Sequence, residues 1–211
     1  MESEIDHKRL ISNLSAKERR DLCAQSDKAG LVHLGMHLGL IACLGAAIAL
    51  GLPGWQVLLL PQGVLLVFLF TALHETTHQT AFATDRFNIW TARLCAFVVF
   101  LGPDHFRYFH MAHHRFTHDP ENDPELASPK PQTLRGYLIY LTGVPEWIWR
   151  IKTLVRNAAG RNRDVFVPKR GQKRVRTEAR VALGLYALLF TGFSSTLLWV
   201  WLVPMLLGGP F

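Results

Sequence analysis

Long apolar runs alternate with strongly polar stretches along this chain of 211 residues. Three runs, at residues 31–51, 55–73 and 181–203, contain no Asp, Glu, Lys or Arg. As helices that rise about 1.5 Å per residue, they would be about 31, 28 and 35 Å long, close to the roughly 30 Å hydrocarbon core of a bilayer. The pattern predicts an all-α integral membrane protein with a transmembrane helical hairpin followed later by a third span.

Two other apolar stretches are too short or too interrupted to cross a membrane. Residues 89–101 carry Arg93 and would form a helix only about 20 Å long. Residues 137–151 carry charge and are broken by Pro145. We interpret both stretches as interfacial or re-entrant helices at the membrane surface.

The first 30 residues are polar and have no apolar core of the kind a signal peptide requires. We therefore expect no cleavable signal peptide, so that the first span itself directs membrane insertion. Ser15 and Glu18 have the spacing of a capping box, which predicts an amphipathic helix after Ser15. The chain is accordingly divided into an amphipathic amino-terminal segment, 1–30, and one membrane domain, 31–211.

Lysine and arginine are distributed unevenly around the predicted spans. Of the 23 in the chain, six precede residue 31 and 17 lie between Glu75 and Arg180, whereas the turn between the first two spans and the residues after 203 have none. Basic loops stay on the cytoplasmic side of a membrane. The amino terminus and the long loop are therefore predicted to be cytoplasmic, with the loop forming a cap below the spans.

The densest basic run, at residues 152–180, is a candidate binding surface for an anionic partner. It contains few aromatic residues that could stack on bases and leads directly into the third span. This favours anionic lipid headgroups over nucleic acid, with an acidic electron-donor protein as another partner to consider, and we expect no nucleic-acid partner. The three cysteines form no CxxC pair, so neither a disulfide framework nor a zinc ribbon is supported.

Two histidine clusters carry the candidate chemistry. His74 and His78 are one helical turn apart at the end of the second predicted span, and His110, His113 and His114 follow in the long loop. Adjacent residues on a helix diverge by about 100°, so the triplet could serve two neighbouring metal ions. An all-imidazole site suits Fe, Zn or Cu rather than Mg or Ca, and the residues alone leave that choice open.

Other histidines and acids are weaker candidates. His105 and His118 are possible further ligands, whereas His33 and His37 in the first span are predicted to have a packing or interfacial role. Carboxylates near the clusters could orient the ligand rings through hydrogen bonds, and the candidates are Glu75, Asp104, Asp119, Glu121, Asp123 and Glu125.

The first cluster also permits a different hypothesis. Residues 74–78 read HETTH, the HExxH pattern that in zinc proteases places two ligands and a general base on one helix. An intramembrane zinc protease would need only one more ligand, and it would give no role to the HxxHH of the second cluster. We keep it as an alternative.

Taken together, these motifs resemble the membrane fatty acid desaturase family and its hydroxylase and ketolase relatives. The resemblance lies in HETTHQTAFATDRFN at 74–88, FRYFHMAHHRFTHDPENDPELA at 106–127, and a basic loop that leads into another span. It implies an oxygen-dependent oxidoreductase with a non-haem di-iron centre, dioxygen, an acyl lipid substrate and an electron-donor protein such as a ferredoxin. It further implies a bacterial inner membrane protein whose iron ligands are His74, His78, His110, His113 and His114.

The chain departs from the family pattern in one respect. No histidine follows His118, so the third histidine box is missing, and residues 204–211 look like the opening of a fourth span. We therefore expect an amino-terminal portion of a desaturase-like enzyme that cannot hold both irons alone. The alternatives are a lipid or carotenoid hydroxylase or ketolase of the same superfamily, and an inactive membrane remnant or subunit.

Overall fold

The computed structural model describes residues 11–127 and 130–209, which contain helices and turns but no strand. In chain order the α-helices are α1 (Ala16–Leu22), α2 (Asp27–Ala49), α3 (Leu59–Thr77), α4 (Asp85–Val98), α5 (Pro103–Phe116), α6 (Leu134–Leu141), α7 (Val144–Ala158), α8 (Gln172–Leu197) and α9 (Val203–Leu207). Short 3-10 turns occur at Trp55–Leu58, Pro124–Leu126 and Lys169–Gly171, and a π-helical turn at Leu198–Leu202 joins α8 to α9.

Among the described residues, three helical stretches are long and apolar enough to cross a membrane: Ala16–Ala49, Trp55–Thr77 and Lys169–Leu207. The second and third contain the predicted spans 55–73 and 181–203, and the first covers the span 31–51 except for its last two residues, so the all-helical class with three candidate spans is confirmed. The amino-terminal capping box is confirmed as well, because Ser15 Oγ accepts from the Glu18 amide at 3.2 Å and the Glu18 carboxylate accepts from the Ser15 amide at 2.7 Å.

The third span is less regular than its sequence suggests. Phe193 has non-helical dihedral angles (φ −135°, ψ 28°) inside α8, and the π-helical turn follows shortly after it. Gly192, Ser194 and Ser195 surround the kink, and glycine and serine are common at helix kinks. The kink was not predicted from the sequence, because residues 181–203 read as one uncharged apolar run.

α3 lies at the centre of the molecule and is the most buried of the three spanning stretches. It packs tightly against α9, where a Cβ on Gly63 would overlap the backbone of Pro204. On another side α4 packs against α3 through Cys95 and Ala96, which are fully buried. This arrangement holds the end of α3, and the histidines that it carries, in a fixed place.

Side chains from α8 and the π-helical turn complete the end of α4. The Tyr186 hydroxyl donates to the Phe97 carbonyl at 2.7 Å, and Trp201 Nε1 donates to the Val98 carbonyl at 2.9 Å. The last carbonyls of a helix have no partner within the helix. The Trp201 bond therefore satisfies the Val98 carbonyl, which would otherwise be costly to bury. The Phe97 carbonyl also accepts from the Phe100 amide at 3.3 Å, so Tyr186 gives it a second partner.

The two weaker apolar stretches form helices of their own. Residues 89–101 fall mostly in α4, and residues 137–151 are divided between α6 and α7. The division is not at Pro145, as expected, but just before it, at Gly143 with φ 69°. Pro145 lies in the first turn of α7, where the missing N–H of a proline removes no helical hydrogen bond.

Candidate metal site

The two histidine clusters meet in the structure. His74 and His78, at the end of α3, face His110 and His114 of α5, and one ligand atom from each lies within 4.8 Å of the others. His110 Nε2 is central, since it lies 2.8 Å from His78 Nε2 and 3.1 Å from His114 Nε2. Four imidazoles that are far apart in the sequence thus form one compact group, which we call the histidine cluster.

Local structure explains why the first pair lies there. His78 is the C-cap of α3, and Gln79 with φ 61° turns the chain away immediately after it. Arg107 Nη1 of α5 donates to the Thr77 carbonyl at 3.0 Å, which ties the end of α3 to the second helix of the site. The spacing of four residues then places both rings of α3 on the side that faces α5.

The floor of the histidine cluster is aromatic. The His110 ring stacks on Phe106 at 5.4 Å between centroids with 9° between the planes, and Phe106 in turn meets Phe70 edge to face at 5.3 Å. His110 is 4% exposed, whereas His114 on the opposite side is exposed. The cluster is therefore open to solvent at one end and bounded by apolar rings at the other.

The environment keeps the central rings neutral. Burial, together with the neighbouring His74, His114, His78 and His113, lowers the pKa of His110 to about 4. Burial first, and then nearby histidines, also lower the pKa of His78. A neutral imidazole offers the lone pair that a metal ion requires.

The hydrogen bonding of the cluster fits a bound cation. His110 Nε2 faces two other ring nitrogens. In a neutral imidazole, each nitrogen acts either as a hydrogen-bond donor or as an acceptor, but not as both. Its Nδ1 is buried without a hydrogen-bond partner among the described residues. Three ε-nitrogens directed at one another leave lone pairs unshared, and a metal between them would accept those lone pairs.

The structure does not bring His113 into the cluster. Its Nδ1 lies 2.9 Å from Asp123 Oδ1 and 3.5 Å from a Glu125 carboxylate oxygen. Asp123 is buried and also accepts from the His118 amide at 3.2 Å. The divergence of adjacent side chains on α5 therefore separates His114, which joins the cluster, from His113, which faces the acidic loop.

The other candidate histidines lie outside the cluster. His105 Nε2 bonds Asp164 at 2.8 Å, His118 lies in a left-handed turn with φ 65°, and His37 Nε2 contacts the Leu65 carbonyl at 2.8 Å. His33 is exposed on α2. The hydrogen bond of His37 agrees with the packing role expected for it.

Three of the six candidate carboxylates contact a histidine ring of the two clusters. Glu75 lies 3.0 Å from His74 Nδ1, and Asp123 and Glu125 contact His113. In the described part of the chain, the structure shows no histidine hydrogen bond to the side chain of Asp104, Asp119 or Glu121. Asp119 instead accepts from Asn122 Nδ2 at 2.8 Å within its own turn.

Sequence reasoning missed two acids that support α5. Asp164 bonds His105, and Glu178 accepts from the amides of Asp104 and His105. Asp164 and Glu178 are the two acidic residues of the otherwise basic run at 152–180. An acid isolated among cations is often held by a specific inward contact, and this was the signal available in the sequence.

Comparison with known proteins identifies the family to which the chain belongs. Residues 50–211, which include both histidine clusters and the second and third spans, match the fatty acid desaturase family. Searches of curated proteins and of solved structures gave no significant match. Because the family match covers well over half of the chain, the protein belongs to the fatty acid desaturase family.

Proposed function

We propose that this protein is a membrane-bound, oxygen-dependent desaturase that acts on the acyl chain of a lipid. The observation that carries the proposal is the convergence of His74, His78, His110 and His114 at the end of an apolar spanning helix. Family membership supports an oxidoreductase, and the apolar rings beside the cluster suit a hydrocarbon substrate.

The proposed cofactor is a non-haem di-iron centre. His74, His78, His110 and His114 would hold one iron, and His113 is our proposed ligand for the second. When bound, the iron centre would activate dioxygen, which is the oxidant, so that it can attack an unactivated C–H bond. The overall reaction removes two hydrogens from adjacent carbons and, with two electrons from a donor such as a ferredoxin and two protons from solvent, reduces dioxygen to two waters.

Protein side chains around the cluster have separate tasks in this proposal. Glu75 orients the His74 ring through Nδ1, and Asp123 does the same for His113, because a hydrogen bond to one ring nitrogen selects the tautomer and leaves the other nitrogen free. Phe70 and Phe106 exclude water from the apolar end of the site.

The proposed location is the cytoplasmic face of a bacterial inner membrane, in a multi-pass protein. The support is the distribution of Lys and Arg, which favours the cytoplasmic side for the long loop and for the histidine cluster. Anionic lipid headgroups are the proposed partner of the basic run at 152–180.

The alternatives differ in what supports them. Hydroxylation and ketolation, the reactions of relatives in the same superfamily, are the alternatives for this site, because the family match does not separate them from desaturation. The zinc protease hypothesis is disfavoured, because Glu75, its required base, bonds His74 and Thr80 instead, and because four histidines converge. An inactive remnant would keep the fold and produce no new lipid.

Expression of the chain in cells rich in saturated acyl lipids tests the proposal. We expect bound iron in the purified protein, measured by elemental analysis. Because we expect that this chain cannot hold both irons alone, the test includes a version extended by a third histidine box, which should produce new double bonds that mass spectrometry of fatty acid methyl esters detects. His33→Ala, on the exposed side of α2, is the matched control and should behave as the wild type. New hydroxyl groups would favour the hydroxylase, and stoichiometric zinc with an unchanged lipid profile would reject the desaturase.

A further inference from the structure

The histidine helix α5 begins without a capping side chain of its own. Its N-cap is Gly102, and Pro103 occupies the first turn. The first amides of a helix have no partner within it, and another group must satisfy them when they are buried. At this position the partner comes from a different part of the chain.

Glu178 of α8 supplies the missing cap. One carboxyl oxygen accepts from the Asp104 amide at 2.7 Å, and the other accepts from the His105 amide at 2.9 Å. The two hydrogen bonds hold the start of α5 at a defined distance and rotation relative to α8. A single side chain thus connects the third spanning stretch to the helix that carries His110 and His114.

Two glycines allow this close approach. A Cβ on Gly102 would lie 2.5 Å from Glu178 Oε1, so a side chain there would displace the carboxyl group. A Cβ on Gly171 would lie 2.7 Å from the ring of Tyr108. Because Asp104 and Tyr108 are one turn apart, these contacts hold the same side of α5.

A second anchor acts through the His105 ring, which is 2% exposed. Its Nε2 lies 2.8 Å from Asp164 Oδ2, the oxygen that also accepts from Arg156 at 2.6 Å and from Asn162 at 3.0 Å. The backbone and the side chain of His105 are therefore both held by residues of the 152–180 run. His105 supports the helix from outside the metal site.

We propose that Glu178 is a positioning residue of the metal site, which sets the rotation and axial position of α5 and thereby places His110 and His114 against His74 and His78. A helix transmits this constraint over five and nine residues, or about 7.5 and 13.5 Å. The metal-binding part of this inference rests on the proposed function. The mechanical part, the restraint of α5, does not.

The test uses the full chain, purified in detergent, and three variants. Glu178→Ala removes both acceptors, Glu178→Gln keeps one, and Asp21→Asn removes a carboxylate from the exposed helix α1 as a charge-matched control. Anaerobic titration with Co²⁺ measures affinity and the ligand-field spectrum of the bound ion. Hydrogen exchange measures the protection of amides in α3 and α5.

We expect Glu178→Ala to bind Co²⁺ about 10–100-fold more weakly, the range typical for loss of a partner that orients ligands, and to alter its spectrum. Glu178→Gln should recover part of the loss, and Asp21→Asn should match the wild type. Exchange should become faster in the first turns of α5 but not in α3. Wild-type affinity together with unchanged protection of α5 in Glu178→Ala would overturn the proposal.

The remaining outcomes are also decisive. If the wild type binds no Co²⁺, the proposed metal function fails, whereas faster exchange confined to α5 still supports the restraint and unchanged exchange rejects it. If Glu178→Ala loses protection throughout the chain, Glu178→Gln carries the test. Loss of protection in every helix of both variants would show a general folding role and reject the positioning role.

Discussion

His110 is the residue on which the proposed chemistry depends most directly. It is the buried member of the histidine cluster, and its Nε2 contacts two of the other three rings. Phe106 holds the ring by stacking, and burial keeps it neutral. The two other histidines of the triplet differ in their surroundings, because His114 lies in the cluster and His113 faces Asp123. Single substitutions can therefore show which of these histidines bind the metal.

Replacing His110 should weaken metal binding strongly. His110→Ala removes the central ligand, and because loss of an orienting partner alone weakens metal sites about 10–100-fold, we expect a larger loss, of more than about 100-fold. Titration of the purified protein with Fe²⁺ or Co²⁺ measures it. His118→Ala serves as the control, since His118 lies in a turn outside the cluster. Equal affinity of the His110 variant and the wild type would contradict the site.

The adjacent histidines of α5 should respond differently. His114→Ala removes a cluster member and should weaken binding of the first ion by at least about 10-fold, whereas His113→Ala should change it by less than about threefold, because His113 faces Asp123. Isothermal titration of both variants compares them. Equal losses would mean that His113 belongs to the first site after all.

At the scale of elements, the site depends on where α3 ends and how α5 is held against it. α3 is restrained by α4 on one side and α9 on another, while α5 is restrained by Arg107, Glu178 and His105. The contact between α3 and α9 is tight because glycines face each other: a Cβ on Gly208 would lie 2.5 Å from the backbone of Gly63. Backbone atoms, unlike flexible side chains, cannot move aside without shifting a helix.

A methyl group at Gly63 should therefore destabilise the protein. We expect Gly63→Ala to lower the free energy of unfolding by about 1–3 kcal/mol, the usual cost of overpacking. Gly39→Ala is the matched control in another spanning helix, since a Cβ there meets nothing within 4 Å. Equilibrium unfolding in detergent and SDS mixtures gives both values. A Gly63 variant as stable as the Gly39 variant would argue against the α3–α9 contact.

For the whole molecule, the distribution of polar and apolar surface indicates how it lies in a membrane. Two of the spanning stretches, Ala16–Ala49 and Lys169–Leu207, bury little of their apolar surface inside the protein. A soluble protein rarely leaves such large apolar areas uncovered. Lipid is the medium that would cover them. The three cysteines lie at different positions relative to the proposed membrane, so their labelling can test this arrangement.

Thiol labelling should report the proposed topology. Cys23 is exposed before α2, Cys43 is exposed within the first span, and Cys95 is buried, with burial raising the pKa of its thiol to about 12. An impermeant maleimide should label Cys23 in inside-out vesicles but not in intact cells. Cys43 should be protected by lipid and Cys95 by the protein, because an inaccessible, protonated thiol reacts slowly.

The control places a cysteine at the opposite end of the first two spans. Gln56→Cys combined with Cys23→Ser should give the reverse pattern, with labelling in intact cells. Labelling of Cys23 from outside intact cells would contradict the proposed orientation while leaving the three spans in place.

The spans and the histidine motifs could be predicted because both are local properties. Hydrophobic length identifies a spanning helix, and a spacing of four residues places His74 and His78 on one side of α3 wherever that helix lies. The kink at Phe193 and the division before Pro145 were missed, because composition does not reveal where a helix bends. The anchoring of α5 by Glu178 was missed because the two segments are separated by more than 70 residues.

The sequence by itself therefore determined the all-helical membrane class, the three spans and the two sets of imidazoles, since each depends on neighbouring residues along one helix. Only the tertiary structure decided that these sets meet and that His114 rather than His113 joins the cluster. That choice depends on the rotation of α5 about its own axis. Contacts with distant residues set this rotation, and no local pattern along α5 encodes it.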